Sequence, residues 1–196
     1  MEKTETEPTL KQSILAECAE VERVGMNDLF HFLLTSDYFT APASTKFHLS
    51  KPGGLALHSW NVYIRLSVLA EIYHVEAPKE SLILCGLFHD LCKVNFYTTA
   101  ERNVKNAETG KWEKVPYICC NDQDPLGHGE KSVIVLQRYI RLTEAEQYAI
   151  RWHMGAWDQP NYTQMQALNG AIAKCPLLRA LHLADLTAAF FEDSRP

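Results

Sequence analysis

The chain has 196 residues, of which 46% are hydrophobic and 22% are charged, and its formal net charge is −5. That composition is typical of a globular protein with room for one buried core, and the acidic balance argues against a protein that coats long nucleic acid, because neutralising phosphates requires a basic face. The polar start "MEKTETEPTLKQS" has no apolar signal segment. The longest apolar run, "LILCGLF", is too short for a membrane span. Six cysteines without a CxxC pair favour free thiols. We therefore expect a cytoplasmic protein that does not enter a membrane.

Helical periodicity dominates the first half of the chain after a flexible tail over residues 1–8. Apolar residues at helical spacing predict helices over residues 9–24, 27–34 and 54–75, with an irregular, proline-containing stretch before the third. Pro78 is positioned to open a fourth helix, which contains the apolar segment "SLILCGLFHDLCKV".

The second half begins with a predicted interruption of the helical pattern. Alternating residues and the "ETGK" turn predict a β-hairpin within residues 95–120. Helices resume at "HGEKSVIVLQRYI", and Thr143 with Glu146 forms a predicted capping box for the next helix. The last helices are predicted over residues 163–173 and 176–192. The fold class is therefore all-α, a helical bundle with a small β-hairpin insertion, in one domain over residues 9–196.

Several apolar helical segments each carry a side chain that can bind a metal. These side chains are His58, His89, Asp90, His128, His153 and Asp185. A single histidine or aspartate in such a place is usually satisfied by a neighbouring group, but so many directed at one core would leave charged carboxylates without partners. A divalent cation compensates for them, because imidazole nitrogens and carboxylate oxygens are its ordinary ligands. The sequence predicts one or two divalent ions, with Fe, Mn, Co, Zn and Ni all suited to these ligands.

Lys93 follows His89 by one helical turn and is expected on the same face. An ammonium group next to a cationic site is favourable when an anion lies between them, which indicates a phosphate group on the substrate. The alternative is a surface lysine at the end of a helix, where the helix dipole favours a positive charge.

The order of these residues resembles the signature of the HD-domain superfamily, H…HD…D on an all-α core. In this chain the signature reads His58, His89–Asp90 and Asp185, and His128 and His153 match the additional histidines of members that bind two metals. The segment "YFTAPASTKFHLSKPGGLALHSWNV" also resembles the HD domain of bacterial 3′-to-5′ exoribonucleases. The resemblance covers roughly residues 39–191.

The resemblance implies a metal site and a reaction. His58, His89, Asp90 and Asp185 would hold one metal, and Asp90 would bridge to a second metal held with His128 and His153. The implied activity is hydrolysis of a small phosphate ester, with a nucleotide as the favoured class, through attack of metal-bound hydroxide on phosphorus. For this reaction we expect Asp90 and Lys93 to be catalytic and Lys93 and His48 to bind the substrate. The alternative for His48, which fits equally well, is a loop histidine at the surface or beside the metal ligands.

Two other classes of function fit the same six side chains. One is an HD-type oxygenase that uses two irons, and the other is a non-catalytic, metal-stabilised module that binds nucleotides. The hairpin has two interpretations as well, because Tyr97, Arg102 and Trp112 either cover the pocket or belong to a purely structural ribbon. The sequence indicates a small phosphorylated molecule as partner and leaves the oligomeric state open.

Overall fold

The computed structural model describes residues 8–47, 49–158 and 161–193. The helices of these residues are α1 (Leu10–Ala19), α2 (Met26–Thr35), α3 (Gly54–Ile72), α4 (Lys79–Phe88), α5 (His128–Gln137), α6 (Glu144–Trp152), α7 (Tyr162–Lys174) and α8 (Pro176–Thr187). Short 3₁₀ turns, Leu91–Lys93 and Gly155–Asp158, follow α4 and α6, and a π-helical turn, Ala188–Glu192, follows α8. The predicted all-α class is confirmed. None of these helices combines the length and apolarity that a membrane span requires.

The predicted hairpin is present between α4 and α5. Strand β1 (Tyr97–Lys105) pairs antiparallel with β2 (Trp112–Cys120), so that the first residue of β1 lies opposite the last residue of β2. Gly110 adopts a φ of 67° in the turn, a conformation that glycine tolerates without strain. Most residues of both strands are exposed, so the hairpin adds little to the hydrophobic core.

The core is built around α3, which packs against α4 and α8, while α6 packs against α5 and α8. The central contacts involve fully buried apolar side chains such as Leu55 and Leu66 of α3, Leu84 of α4 and Leu181 of α8. Burying each leucine contributes roughly 2 kcal/mol relative to leaving it in water. This packing brings α3, α4, α6 and α8 together around one interior region.

Two glycines allow neighbouring helices to approach closely. A Cβ atom at Gly86 of α4 would lie 2.6 Å from the Cα atom of Tyr63 on α3. A Cβ atom at Gly129 of α5 would lie 2.0 Å from the carbonyl oxygen of Arg151 on α6. Any larger residue would push these helices apart, because interiors are close-packed. The two close crossings lie near the end of α4 and at the start of α5.

The first and third helices end earlier than the periodicity predicts. Helix α1 ends at Ala19 rather than at residue 24, and in the turn that follows Arg23 donates to carboxylates of α4 and α6. Helix α3 ends at Ile72 rather than at residue 75. There His74 adopts a left-handed φ of 51° and the N–H of Val75 donates to the carbonyl of Ala70, which is the Schellman pattern of helix termination.

The capping box of α6 is confirmed, because the Thr143 side chain accepts from the Glu146 N–H and the Glu146 side chain accepts from the Thr143 N–H. The final helix is predicted as one element over residues 176–192, whereas α8 ends at Thr187 and the chain continues as the π turn. Most of the predicted tail, residues 1–7, lies outside the described residues. The assignment of residues 9–196 to one domain stays a prediction.

Candidate metal centre

The structure brings the six predicted histidines and aspartates into one buried cluster at the ends and inner faces of the helices. His58 lies in the second turn of α3, His89 ends α4, Asp90 begins the following 3₁₀ turn, His128 opens α5, His153 ends α6, and Asp185 lies in α8. Five of them are buried, and His128 is partly exposed.

Asp90 lies at the centre of this cluster, with its two carboxylate oxygens facing different pairs of histidines. Its Oδ2 atom is 3.5 Å from Nε2 of His58 and 3.6 Å from Nε2 of His89. Its Oδ1 atom is 2.8 Å from Nε2 of His128 and 3.5 Å from Nε2 of His153. One carboxylate therefore connects two groups of ring nitrogens.

Asp185 belongs to the first of these two groups. Its Oδ1 atom lies 3.1 Å from Nε2 of His58 and 4.0 Å from Nε2 of His89. The Nε2 atoms of His58 and His89 are themselves 3.3 Å apart. In the second group, the Nε2 atoms of His128 and His153 are 3.2 Å apart.

Hydrogen bonds to the opposite ring nitrogens orient two of the histidines. The Nδ1–H group of His89 donates to the carbonyl of Gly86 at 2.9 Å, and that of His153 donates to the carbonyl of Ile150 at 2.7 Å. Each residue thus binds the carbonyl three positions earlier at the end of its helix. Because a carbonyl can only accept, the neutral ring carries its proton on Nδ1 and directs the Nε2 lone pair into the cluster.

The chemistry of this cluster fits a metal ion. Ring-nitrogen lone pairs and carboxylate oxygens converge at short distances, and Oδ1 of Asp90 is buried without a well-formed hydrogen bond despite the nearby Nε2 atoms. Converging acceptors repel one another unless a cation lies between them. Among the described residues, three groups have ligand atoms that all lie within 4.8 Å of one another. The groups are His58, His89 and Asp185; His89, Asp90 and His153; and Asp90, Cys92 and His128. Several His and Asp groupings could therefore bind metal ions.

The protonation states of His89, Asp90 and Asp185 are consistent with a metal site. Burial, opposed by the Asp90 charge, lowers the pKa of His89 to about 3, so this imidazole is neutral. Burial alone would raise the pKa of Asp90, but the charge of Lys93 and the nearby histidines hold it well below its usual range. Hydrogen bonding to His58 likewise outweighs burial and lowers the pKa of Asp185. Neutral imidazole and ionised carboxylate are the forms that bind metals.

Two histidines are instead more basic than usual. Although burial opposes the charged form, hydrogen bonds to Asp185 and Asp193 raise the pKa of His58 to about 9. Burial is similarly outweighed at His128, where Cys92 and Asp90 raise the pKa to about 10. The excess of negative charge around these rings thus attracts a cation, either a proton or a metal ion, and the two compete for the same nitrogen.

Lys93 contacts the cluster from the cavity side. Its Nζ atom lies 2.6 Å from Oδ2 of Asp90, and its side chain is 15% exposed. Burial would lower the pKa of this ammonium group, but the Asp90 carboxylate raises it above its usual value. Lys93 therefore carries a full positive charge next to the cluster.

A cavity of about 690 Å³ opens onto the cluster, which is large enough for a small-molecule substrate. His58, Asp90, His128 and Asp185 line one part of it, together with Lys93. The rest of the lining includes four aromatic side chains, which are Phe47, Tyr97, Trp157 and Phe190. Three of these are strongly exposed, with Phe47 at 79%, Trp157 at 66% and Phe190 at 64%.

Two further predictions concern the surroundings of the cavity. His48, predicted to bind substrate, lies outside the described residues. Of the hairpin residues, Tyr97 at the base lines the cavity, whereas Arg102 packs over the Tyr117 ring and the Trp112 side chain is 70% exposed. Arg102 and Trp112 are absent from the described lining of the cavity, so the hairpin reaches it through its base.

Two neighbours of the cluster, Asp193 and Cys92, were not predicted from the sequence. Asp193 places Oδ2 2.6 Å from Nδ1 of His58, and Cys92 places Sγ 3.3 Å from Nδ1 of His128. Asp193 lies in the polar end "FFEDSRP", which gives no sign of burial, and Cys92 resembles the other free thiols. His182, left out of the predicted site, donates from Nδ1 to the carbonyl of His153 at 2.5 Å and lines the cavity.

Comparison with protein families agrees with the HD signature. The HD domain model matches residues 55–189, well over half of the chain. No curated protein and no solved structure matches the chain, so the narrower likeness to exoribonuclease HD domains stays a prediction. The matched segment contains all six clustered side chains. The chain belongs to the HD domain family, whose members are mostly metal-dependent hydrolases that act on phosphate compounds.

Proposed function

We propose that this protein hydrolyses a small phosphate ester, with a nucleotide as the favoured substrate, in a reaction that depends on two divalent metal ions. The observation that carries the proposal is the position of Asp90. Its two oxygens face separate histidine pairs next to a cavity that also contains a charged lysine. This arrangement supports a pair of ions that share one carboxylate and act on a phosphoryl group.

The proposed ligands divide into two sets. His58, His89, Asp90 and Asp185 hold one ion, and Asp90, His128 and His153 hold the other. The metal is one of Fe, Mn, Co, Zn and Ni. When bound, these ions would supply the Lewis acidity that lowers the pKa of a water molecule and polarises the phosphoryl oxygens.

Lys93 acts as the cationic group that binds the substrate. Its Nζ atom is held by Oδ2 of Asp90, so the ammonium group is oriented before the substrate enters. A phosphoryl oxygen in the cavity can accept a second hydrogen bond from the same nitrogen, because an ammonium group has three donors. Charge that develops on the phosphoryl group during the reaction is thereby stabilised.

The other walls of the cavity select the organic part of the substrate. Phe47, Trp157 and Phe190 expose large aromatic surfaces that a planar nucleobase can stack on. Lys93 is the one lysine or arginine in the described lining, so the cavity suits a substrate with a single phosphoryl group better than a triphosphate. We therefore favour a nucleoside monophosphate or a diester.

The test is release of phosphate and nucleoside from a panel of mono-, cyclic, di- and triphosphate nucleotides, under nitrogen, with protein loaded with Mn²⁺. Asp90→Asn removes the shared carboxylate charge, and the matched control is Asp28→Asn, an exposed carboxylate on α2. We expect release by the wild type and by Asp28→Asn, and a loss of about 10³-fold or more in Asp90→Asn.

Equal release by all three proteins would point to a contaminating phosphatase and contradict the proposal. Absence of release by the wild type would also contradict it. Oxygen consumption by the iron-loaded protein would then favour the di-iron oxygenase.

A further inference from the structure

Asp193 lies beyond the segment that matches the HD family, yet its side chain contacts the first histidine of the HD signature. We infer that Asp193 is a positioning residue for His58. Its carboxylate keeps the His58 proton on Nδ1 and holds the ring so that Nε2 points to the metal site. This inference rests on the proposed metal-binding role of His58 and names a part of the centre that the family match does not include.

The contacts of Asp193 leave its carboxylate little freedom to move. Oδ2 lies 2.6 Å from Nδ1 of His58, a distance typical of a strong charge-assisted hydrogen bond. Oδ1 accepts a hydrogen bond from Nδ2 of Asn61 at 2.8 Å. The side chain is fully buried, and each of its oxygens has a partner on α3.

The π turn after α8 brings Asp193 to this position. Asp193 follows Asp185 by eight residues, so an uninterrupted α-helix would rotate it about 80° away from Asp185. The N–H of Asp193 instead donates to the carbonyl of Ala188 at 2.9 Å, the wider i−5 pattern, which reduces that rotation. Both carboxylates therefore reach the same ring, with Asp185 at Nε2 and Asp193 at Nδ1.

A second contact holds the same turn against α3. Glu192 forms an ion pair with Arg65. His58, Asn61 and Arg65 lie at positions i, i+3 and i+7 of α3, so they share one face of the helix. Residues 192 and 193 thus form a clasp on α3, in which Asp193 contacts the cluster and Glu192 does not.

The partner of His58 differs chemically from those of the other clustered histidines. His89 and His153 donate from Nδ1 to backbone carbonyls, and His128 contacts the Cys92 sulfur. An ionised carboxylate on Nδ1 makes an imidazole a stronger metal ligand than a carbonyl does, because it stabilises positive charge on the ring. His58 is therefore the histidine that we expect to bind its ion most strongly.

The experiment compares Asp193→Asn with Glu192→Gln in the full chain. Each substitution weakens one contact of the clasp, but only Asp193→Asn removes the carboxylate that contacts Nδ1 of His58. We expect Asp193→Asn to weaken Zn²⁺ binding by about 10- to 100-fold in calorimetric titration. It should also shift the visible absorption of the Co²⁺ protein, because the ligand field of His58 changes. Glu192→Gln should keep the affinity and the spectrum of the wild type.

Equal losses of affinity in the two variants would show a merely structural clasp and overturn the inference, as would a wild type that binds no Zn²⁺. If Asp193→Asn does not fold, ¹⁵N NMR of the histidines in the Zn²⁺-loaded wild type remains decisive. A proton on Nδ1 of His58 supports the inference, and a proton on Nε2 overturns it. These readouts use no substrate, so a protein that binds metal through this contact but hydrolyses nothing would contradict the proposed function alone.

Discussion

Charged side chains are buried in two regions of this protein, and the two regions differ in how the charges are balanced. In the first region, Arg23 donates to both oxygens of Glu146, at 2.7 and 2.8 Å, and also to Glu80. The Glu146 oxygens accept further bonds from the Ser81 hydroxyl and from the Thr143 N–H. Here each buried acceptor has a donor from the protein itself.

The candidate metal centre has the opposite balance. Oxygens of Asp90 and Asp185 face the Nε2 atoms of His89 and His153, whose Nδ1–H groups donate to backbone carbonyls. Acceptor atoms converge here around Oδ1 of Asp90, which is buried without a well-formed hydrogen bond from the protein. Burial of charge therefore does not by itself mark a functional site. An excess of converging acceptors marks a cation site, and a closed network such as that of Arg23 supports the fold.

The largest effect that tests this contrast is stabilisation by metal. Because the ions bind the folded cluster and the unfolded chain lacks it, excess metal at about 1,000 times the dissociation constant should raise the free energy of unfolding by about 4 kcal/mol. Urea denaturation with Mn²⁺ and with a chelator measures this difference. Glu146→Gln should show the same increase, and Asp90→Asn should show little of it. If metal does not change the free energy of unfolding of the wild type, the cluster is not a cation site and the contrast with the Arg23 network is wrong.

A somewhat smaller effect is expected from opening the Arg23 network. Glu146→Gln leaves the partly buried Arg23 without one of its two counter-charges, so the free energy of unfolding should fall by about 3 kcal/mol. Glu22→Gln, on an exposed residue in the same loop as Arg23, is the control and should change stability by less than about 0.5 kcal/mol. Metal content should be that of the wild type in both variants. Loss of bound metal in Glu146→Gln would mean that the two regions are not separate.

The smallest effect is the pH dependence of the stability difference between the wild type and Glu146→Gln. Burial would raise the pKa of Glu146, but hydrogen bonds from Arg23 and Ser81 lower it below its usual value. A carboxyl group with a depressed pKa stabilises the fold fully above its unfolded pKa, about 4.3, and loses this contribution as the pH falls through the folded value. The stability difference between wild type and Glu146→Gln should therefore be constant from pH 7 to about 5 and shrink below about 4.3. Urea midpoints at several pH values measure it, and a decline that starts above pH 5 would contradict the depressed pKa.

Local sequence patterns were sufficient to predict most of the helices, the hairpin and the candidate metal ligands. The capping box at Thr143 and Glu146, the hairpin and the helical periodicity depend on residues close together in the chain, and the structure contains each of these elements, although α1, α3 and α8 end earlier than predicted. The polar residues on apolar segments stood out because burial without compensation is costly. The ordered HD signature then led to the family that the comparison found.

The fold class, the family and the six side chains that the structure brings together can thus be predicted from the sequence. Their arrangement cannot, because it depends on contacts between distant parts of the chain. The split of the Asp90 oxygens between two histidine pairs depends on close helix crossings at Gly86 and Gly129, which join residues far apart in the chain. The contact between Asp193 and His58 spans 135 positions and requires the π turn. Such contacts arise from packing between helices, and periodicity reports only which face of a helix is buried.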